Sequence, residues 1–333
     1  MDTSTSFKAL VVEKTDAGLF VRTIRRRTIA DLPQGDLVVR VNYSSLNYKD
    51  ALSATGHPGV TRQFPHTPGI DAAGEVVSCT SGAFAAGDRV IITGYDLGME
   101  TDGGWGEFIR IPSEWPVRLP AGLTEREGMV LGTAGFTAAL SVLKLEQSGV
   151  TPSDGDILVT GATGGVGAIA VAILARSGYR VVASTGKSSD EKFLRNLGAA
   201  EIIPRDVVTA GSERPMMKER WAGCVDVVGG DTLAAAIKAT RHGGAVTCCG
   251  LVGSTELPLN VYPFILRGVS LIGIDSAECP ADTRTRVWNK LAVEWKPVQL
   301  QDMATEVHLE NLEEKIQAML RGGSRGRVVV KHS

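Results

Sequence analysis

The chain has 333 residues, of which 43% are hydrophobic and 22% are charged, and its formal net charge at pH 7 is −2. This composition is typical of a globular protein, and the near-neutral charge offers no electrostatic attraction to nucleic acid. Because a length of 333 residues exceeds what one hydrophobic core usually serves, we expect two domains.

The N-terminal stretch MDTSTSFKAL lacks the basic start and the apolar core of a signal peptide. We expect no membrane segment, since no apolar stretch of the ~18–20 residues that a span requires is evident. The 5 cysteines are scattered and include no CxxC pair, which argues against a disulfide framework and a structural zinc site. These features predict a cytoplasmic protein. The cysteines are Cys79, Cys224, Cys248, Cys249 and Cys279.

Short strands separated by frequent turns are predicted over roughly the first 125 residues. In this region, runs of apolar or alternating residues are bounded by Gly, Pro, Asp or Ser, so we expect it to be mostly β. The basic run of Arg25, Arg26 and Arg27 is expected in a solvated turn between two strands. The predicted strands are FKALVVEK, DLVVRVNYSS, AAGEVVSC, DRVIITG and WGEFIRIP.

A repeated strand–helix pattern begins near Asp156 and predicts a Rossmann-type domain. Strands DILVTG, RVVAS and AEII alternate with helices VGAIAVAILARSG and SSDEKFLRNLGA, and CVDVVG, DTLAAAIKATRHG and AVTCCG continue the pattern. Ser188 and Glu191 have the spacing of a capping box at a helix start. Apolar strands alternating with helices predict a doubly wound parallel sheet covered on both faces, so the fold class is α/β.

The C-terminal residues return to the first pattern. We predict a strand in ATEVHL, an amphipathic helix in LENLEEKIQAML and a last strand in GRVVVK. We expect this tail to pack on the N-terminal domain. The predicted domains are a discontinuous β-rich domain over 1–128 and 302–333, and a Rossmann domain over 129–301.

The stretch GATGGVGAIA follows the first strand of the Rossmann pattern and opens a helix. It matches the dinucleotide fingerprint with Ala162 in place of the first glycine, followed by Gly164 and Gly167. Gly164 would let the backbone approach a pyrophosphate, and Gly167 would let helix and strand pack closely. The helix N-terminus would face the phosphate charge. We therefore predict a bound dinucleotide.

The end of the second Rossmann strand indicates which dinucleotide is bound. An NAD enzyme carries Asp or Glu there for the adenosine ribose, whereas this chain has the sequence Ser184, Thr185, Gly186 and Lys187. Arg205, just after the third strand, could approach the same phosphate. Charge-assisted hydrogen bonds contribute ~1.5–3 kcal/mol each, so two cations favour NADPH.

The stretch FPHTPGIDAAGEV at residues 64–76 raises the question of a metal site. His66 in this Pro/Gly frame could be half of such a site or part of an ordinary loop. The whole layout resembles the medium-chain dehydrogenase/reductase superfamily, whose alcohol dehydrogenases have a zinc-binding histidine where this chain has Ile70. The stretches matching the other ligands, NYKD and GTAGFT, contain no cysteine or histidine. We therefore interpret His66 as a loop residue and expect no catalytic metal.

Five stretches narrow the resemblance. SSLNYKDALSATG, TGYDLGMETDGGWGEF, PFILRGVSLIGIDS, GTAGFTA and WAGCVDVVG are together similar to the acryloyl-CoA (acrylyl-CoA) reductase family. The resemblance implies a GroES-like catalytic domain beside the Rossmann domain. It also implies NADPH-dependent reduction of acryloyl-CoA to propanoyl-CoA, by hydride addition to the β-carbon and protonation of the α-carbon.

The resemblance also implies the site residues. Tyr48 would touch the nicotinamide end of NADPH and could donate to substrate, and Asn47 could orient the ribose or the thioester. Asp50 is a third catalytic candidate, although a structural pair with Lys49 is the alternative that we favour. The proton on the α-carbon could come from water. The implied cofactor contacts are Tyr48, Thr133, Gly164, Gly165, Val166, Ser184, Thr185, Gly186, Lys187, Arg205, Leu251, Ile265, Ser276 and Arg327.

Several alternatives remain open at this point. Arg327 could face a phosphate or form a salt bridge at a strand edge. An NADPH:quinone reductase or a broad alkenal/enone reductase could use the same scaffold, and a non-catalytic NADPH-binding protein is a third possibility. The expected partner is a small CoA thioester rather than a nucleic acid or a membrane. The apolar strand VSLIGI, if it lies at the edge of its sheet, would pair with a second copy and form a homodimer.

Overall fold

The structure is a computed structural model that describes residues 3–332, apart from the side chain of Ser188. The capping box predicted for Ser188 and Glu191 therefore lies outside the described side chains. The described chain forms two compact units. The first unit comprises 3–133, 277–292 and 300–332, and the second comprises 134–276 and 293–299.

The strands are numbered here in chain order. They are β1 Ser6–Lys14, β2 Phe20–Thr28, β3 Leu37–Leu46, β4 Asp71–Cys79, β5 Arg89–Thr93, β6 Phe108–Ile111, β7 Val117–Arg118, β8 Asp156–Val159, β9 Val181–Thr185, β10 Glu201–Pro204, β11 Trp221–Asp226, β12 Thr240–Cys248, β13 Ser270–Gly273, β14 Ala304–Val307 and β15 Arg327–Lys331.

The helices are numbered in the same way. They are α1 Tyr48–Ala54, α2 Glu125–Gln147, α3 Gly165–Arg176, α4 Glu191–Asn196, α5 Arg205–Thr209, α6 Gly230–Lys238, α7 Tyr262–Arg267, α8 Ala281–Ala292 and α9 Leu312–Leu320. Short 3₁₀ turns lie at Ile29–Asp31, Pro152–Asp154, Ser188–Asp190, Leu300–Met303 and Leu309–Asn311.

The first unit is built on β-strands, as its alternating sequence predicts. Strands β1 and β2 form an antiparallel ribbon, and a larger sheet has the order β14-β15-β3-β4-β5-β7 with β6 paired to β3. The tail strand β15 runs antiparallel to β3, so the C-terminal residues complete the N-terminal sheet. Alternate side chains of β3 and its neighbours, including Leu37, Val39 and Val41, form one of the hydrophobic cores.

The second unit is a doubly wound parallel sheet with the strand order β10-β9-β8-β11-β12-β13. Every residue of β9 and β11 is buried, because helices cover both faces of a parallel sheet and leave no solvated side. The strand order reverses between β8 and β11, and ligands of open α/β sheets bind at such a reversal. The predicted α/β class, with a GroES-like β-rich domain, is confirmed.

Four local predictions differ from the structure. The run of Arg25, Arg26 and Arg27 lies inside β2 rather than in a turn, and Arg25 forms a salt bridge with Glu13 of the adjacent strand β1. The helix α6 ends at Lys238, since the following residues pair with β11. Helices α1, α2, α5, α7 and α8 were not predicted. The segment 277–292, predicted within the Rossmann domain, groups with the first unit.

Helix α2 is long and apolar enough to cross a membrane by length and composition alone, contrary to the expectation that no apolar stretch reaches that length. Its apolar window is 89% buried within the protein, as expected for a core helix. The helix is interrupted at Gly132, whose φ of 51° and ψ of −156° are not helical. The composition therefore reflects burial in a protein core.

Candidate active site

The turn between β8 and α3 carries the glycines of the predicted fingerprint. A methyl group on Gly167 would lie 2.4 Å from the Gly161 carbonyl oxygen and 2.8 Å from the Ala162 Cα, so a side chain there would force the turn apart. Gly164 precedes α3 in an extended conformation. The first N–H groups of a helix have no partner within it, and here they offer an anion site.

The predicted pyrophosphate contacts lie on this turn. Gly164, Gly165 and Val166 are half-buried rather than enclosed. A methyl group on Gly164 would meet only the Gly161 carbonyl oxygen, at 3.3 Å, so this side of the turn is open. The cradle fits a dinucleotide, because a phosphate group can approach the backbone where no side chain intervenes.

A cleft of about 870 Å³, here called the Lys187 cleft, opens beside the ends of β9 and β10. It brings together Thr185, Gly186, Lys187 and Arg205, the residues predicted around a 2′-phosphate. The Thr185 hydroxyl accepts a hydrogen bond from the Lys187 N–H at 3.0 Å, which fixes the turn. The cleft also has three acidic side chains, which we had not anticipated: Glu191, Asp206 and Asp231.

Ser184 is the exception among the predicted phosphate contacts. It is 1% exposed inside β9, and its carbonyl oxygen accepts a hydrogen bond from the Ala162 N–H at 3.0 Å. Its side chain does not line the cleft, so the predicted cofactor contact is corrected to a structural role. Ser184 stands at an inward position of a strand whose every residue is buried, and sequence order alone does not reveal this.

The acid Asp226 was not singled out from the sequence. It ends β11 beside the reversal of strand order, fully buried, and accepts hydrogen bonds from the Thr160 hydroxyl at 2.7 Å and the Gly229 N–H at 2.8 Å. Burial raises the pKa of Asp226, and this effect exceeds the opposite effect of the hydrogen bonds, which lower the pKa. The sequence could have pointed to Asp226, because this acid lies at the end of the buried strand CVDVVG, where ligands of such sheets bind.

The remaining predicted contacts of the second unit are dispersed. Leu251 lines a second cleft of about 610 Å³ together with Cys248 and Cys249. The Ser276 hydroxyl accepts a hydrogen bond from the Thr137 hydroxyl at 2.8 Å. Ile265 on α7 is 69% exposed and is not among the residues of either cleft. Its predicted cofactor contact therefore has no support in the geometry of this unit.

In the first unit, polar residues from several segments form a buried group that we call the Asp71 cluster. It has an acid at its centre, a second acid, a guanidinium and three smaller polar side chains. The members are Ser45, Asn47, Asp50, Asp71, Thr133 and Arg327.

Asp71 lies at the start of β4 and is fully buried. Its carboxylate accepts hydrogen bonds from the Thr133 N–H at 2.9 Å, the Thr133 hydroxyl at 2.6 Å and the Asn47 side-chain amide at 2.8 Å. The Ser45 hydroxyl donates to the same carboxylate. The donors come from three different segments of the first unit.

Arg327 is 3% exposed, and its Nη2 lies 3.5 Å from the Asp71 carboxylate. It donates to the Val130 carbonyl, the Asn47 side-chain oxygen and the Ser45 hydroxyl at 2.9–3.0 Å. These protein acceptors occupy the guanidinium, so the prediction that Arg327 faces a cofactor phosphate is wrong. The alternative of a salt bridge is the one observed, in an interior strand of its sheet rather than at an edge.

Asn47 precedes α1, and Asp50 lies in the first turn of that helix. The Asp50 carboxylate accepts from the Asn47 N–H at 2.7 Å and from the Ile70 N–H at 2.8 Å, and not from Lys49 as the sequence suggested. Both side chains are buried and held by protein groups, and their predicted catalytic roles stay predictions. Tyr48, between them, is 44% exposed and is free to meet a ligand.

The pKa of Asp50 is raised from 3.8 to about 7, first because the carboxyl is buried and second because Asp71 is close. Burial also lowers the pKa of Arg327, whereas the negative charges of Asp71 and Asp50 raise it by a smaller amount. A buried site with two acids and one guanidinium favours a neutral state for one acid. Asp50 is therefore the member of the Asp71 cluster that titrates near neutral pH.

His66 is buried in the loop before β4, and its Nε2 lies 2.9 Å from the Gly98 carbonyl oxygen. Burial lowers the pKa of His66, so the ring is neutral near pH 7. At the position of the superfamily's zinc-binding histidine, Ile70 contributes a buried hydrocarbon. Among residues 3–332, no group of three or more His, Cys, Asp or Glu side chains could hold a metal ion.

Comparisons with known proteins agree with this architecture. Residues 33–121 match the model of the alcohol dehydrogenase GroES-like domain, and residues 165–292 match that of the zinc-binding dehydrogenases. Acrylyl-CoA reductase AcuI of Ruegeria pomeroyi is 42% identical over 97% of this chain and 98% of its own length. The chain belongs to the acrylyl-CoA reductase family of the medium-chain dehydrogenases/reductases.

Other relatives of this chain differ in name and in bound cofactor. YhfP of Bacillus subtilis, assigned by name to the quinone oxidoreductases, is 47% identical over 98% of this chain and 99% of its own. Its structure with NAD bound superposes with a TM-score of 0.96 over 99% of this chain and 100% of that chain. The Salmonella enterica yhdH oxidoreductase, in complex with NADP, is 42% identical, with a TM-score of 0.95 over 98% of this chain and 100% of that chain.

Proposed function

We propose that this protein is an NADPH-dependent acryloyl-CoA reductase that reduces the C=C bond to give propanoyl-CoA. The observation that carries the proposal is the 42% identity to an acrylyl-CoA reductase over nearly the whole of both chains. The cofactor supplies a hydride to the β-carbon of the alkene, which the thioester activates, and the α-carbon takes a proton.

NADPH is the cofactor that the second unit favours. The β8–α3 turn would hold the pyrophosphate at Gly164, Gly165 and Val166, because its N–H groups are open to an anion. Lys187 and Arg205 bring two cations into the Lys187 cleft, where Thr185 and Gly186 complete the place for a 2′-phosphate. No acid occupies the end of β9, where an NAD enzyme would bind the ribose hydroxyls.

Two solved relatives hold different cofactors, NADP in the Salmonella protein and NAD in the Bacillus protein. The acids Glu191, Asp206 and Asp231 in the Lys187 cleft would weaken the attraction for a phosphate. We therefore expect a preference for NADPH rather than exclusion of NADH.

Tyr48 is the residue of the first unit that we assign to the reacting groups. Its ring is 44% exposed at the N-terminus of α1, so it can lie against the nicotinamide and donate a hydrogen bond to the thioester oxygen. A donor to that oxygen would stabilise the enolate, and one such donor can contribute ~3 kcal/mol. Thr133, Leu251 and Ser276 remain proposed contacts.

The partner of the reaction is a small CoA thioester, and we propose that the enzyme is a cytoplasmic homodimer. Strand β13 lies at the edge of its sheet, and three of its four residues are exposed. Unpaired edge groups favour pairing with a second copy. Apolar side chains exposed on β13 and on the residues that precede it support this surface: Leu257, Val261, Tyr262, Leu266 and Leu271.

The test is NADPH oxidation with acryloyl-CoA, crotonoyl-CoA, a quinone and a free enone, measured side by side. We expect the highest kcat/KM with acryloyl-CoA. Fastest turnover of the quinone with no turnover of acryloyl-CoA would contradict the proposal and favour the quinone oxidoreductase assignment that the Bacillus relative carries by name. Absence of turnover with all four acceptors, despite NADPH binding, would indicate a non-catalytic protein.

A further inference from the structure

One buried carboxylate, that of Asp71, holds two segments of the first unit that are distant in sequence. Thr133, 62 residues away, gives it both a backbone and a side-chain hydrogen bond. Asn47, 24 residues away, donates its side-chain amide at 2.8 Å. Because both segments carry a proposed contact of the reductase, the acid can influence the reaction without touching a ligand.

The first of these segments is the break in α2. At Gly132 the backbone takes φ 51°, a region that favours glycine. An added methyl group would lie 2.3 Å from the Asp71 carboxylate and 2.9 Å from Arg327 Nη2. The break therefore packs directly on the ion pair and turns the Thr133 N–H toward the acid.

The second segment is the N-terminus of α1. Asn47 caps this helix, and its side-chain amide donates to Asp71 while its side-chain oxygen accepts from Arg327 at 3.0 Å. Asp50 accepts from the Asn47 backbone N–H at 2.7 Å. The residue that follows, Tyr48, is exposed, so the direction of its ring depends on how this buried cap is held.

We propose that Asp71 is a positioning residue of the reductase, which sets Tyr48 through Asn47 and the backbone of Thr133 through direct hydrogen bonds. The inference rests on the proposed function of these contacts. Asp71 itself has all its acceptor positions directed at protein donors and is fully buried. It acts through its neighbours and not on substrate.

The experiment compares Asp71→Asn with the wild-type enzyme in kcat, in the Kd for NADPH and in thermal stability. The amide keeps the size of the side chain but removes the charge and one acceptor. Displacement of reacting groups by about 1 Å can cost up to roughly a hundredfold, so we expect kcat to fall about tenfold to hundredfold. The Kd for NADPH should change less than kcat, because its proposed phosphate contacts lie in the second unit and only the contacts of Tyr48 and Thr133 depend on Asp71.

A double-mutant cycle with Tyr48→Ala separates positioning from general damage. If Asp71 acts through Tyr48 in addition to Thr133, the variant with both substitutions should lose less kcat than the product of the two single losses. Independent effects, in which the two losses in kcat multiply, would overturn the proposal.

Asp71→Asn leaves Arg327 buried without its acid and could prevent folding. The variant Asp71→Asn with Arg327→Gln removes both charges together, and its kcat should remain at least tenfold low although the protein folds. A kcat equal to the wild-type value in this folded variant would contradict the role. Asp36→Asn is the matched control, because Asp36 accepts from the Ser113 N–H and hydroxyl, both at 2.7 Å, outside the Asp71 cluster. It should leave kcat unchanged.

The cycle is measured with whichever acceptor the wild-type enzyme reduces. A wild-type enzyme that prefers a quinone would contradict acryloyl-CoA as substrate, yet non-additive losses with Tyr48→Ala would still support the positioning role. Conversely, turnover of acryloyl-CoA with additive losses would uphold the proposed function and reject the positioning role.

Discussion

The Asp71 cluster of the first unit and the Lys187 cleft of the second both concentrate charge, but they differ in access to solvent. In the Asp71 cluster the acids and Arg327 are buried and directed at one another. In the Lys187 cleft the cations line an open volume of about 870 Å³. Buried charges need partners within the protein, whereas cations in an open cleft can bind a ligand. Residue type alone does not separate these roles, as Arg205 and Arg327 demonstrate.

The largest expected effect is on stability, from Arg327→Met. This change leaves the buried Asp71 carboxylate without its ion-pair partner, which typically costs about 3–5 kcal/mol. Arg40→Met is the control, since Arg40 is exposed and pairs with Glu75 on the neighbouring strand, where such pairs contribute about 0–1 kcal/mol. Urea unfolding measures the free energy of unfolding of both variants. Equal decreases in the two variants would contradict the distinction between buried and solvent-exposed charges.

Asp50→Asn tests the titration within the Asp71 cluster. The folded pKa of Asp50, about 7, lies above its usual 3.8, so the folded protein retains a proton that the unfolded chain releases. The stabilising contribution is thus complete below about pH 4 and is lost as the pH rises toward 7. Asparagine cannot ionise, so only the wild type should lose this stability as the pH rises. The unfolding free energy of the variant minus that of the wild type should therefore increase by roughly 2–3 kcal/mol between about pH 5 and 7.5.

The difference between the two proteins is the relevant measurement for Asp50. The amide that Asp50→Asn introduces cannot accept every hydrogen bond of the carboxylate, which lowers the stability of the variant by a constant amount at all pH values. The buried His66 and His332, whose pKa values are lowered by burial, affect both proteins equally. A constant difference across this pH range would mean that Asp50 does not titrate within it.

In the Lys187 cleft we expect a change of cofactor preference with little change of stability. Lys187→Ala and Arg205→Ala should each raise the KM for NADPH roughly tenfold, because a charge-assisted hydrogen bond contributes ~1.5–3 kcal/mol. The KM for NADH should barely change. Arg214→Ala is the control, an exposed arginine beside Glu213. Equal effects on NADPH and NADH would refute contact with the 2′-phosphate.

The smallest expected effect is that of metal removal. Ile70 offers no ligand atom at the position of the superfamily's zinc-binding histidine, and His66 is directed at a backbone carbonyl. Dialysis against a chelator should therefore leave kcat/KM unchanged. Activity that disappears on dialysis and returns with zinc would overturn the assignment of a metal-independent site.

The grouping of residues in the open Lys187 cleft follows from chain order, whereas the grouping in the buried Asp71 cluster does not. The glycine turn and the residues Thr185, Gly186, Lys187 and Arg205 follow one another on adjacent strand ends, where chain order and the sheet rule predict proximity. The Asp71 cluster joins residues from β3, α1, β4, α2 and β15. No periodicity links such segments, so the sequence did not predict that Asn47, Asp50 and Arg327 bond to one another around Asp71.

The amino-acid sequence by itself determined the α/β class, the alternation of strands and helices in the second unit, the dinucleotide turn and the family. These properties depend on local patterns, since hydrophobic periodicity and glycine positions act over a few residues. Only the tertiary structure decided which charges face solvent and which face one another. That outcome depends on burial, and burial is set by contacts such as those of Asp71 with Thr133 and Arg327, which are distant in sequence.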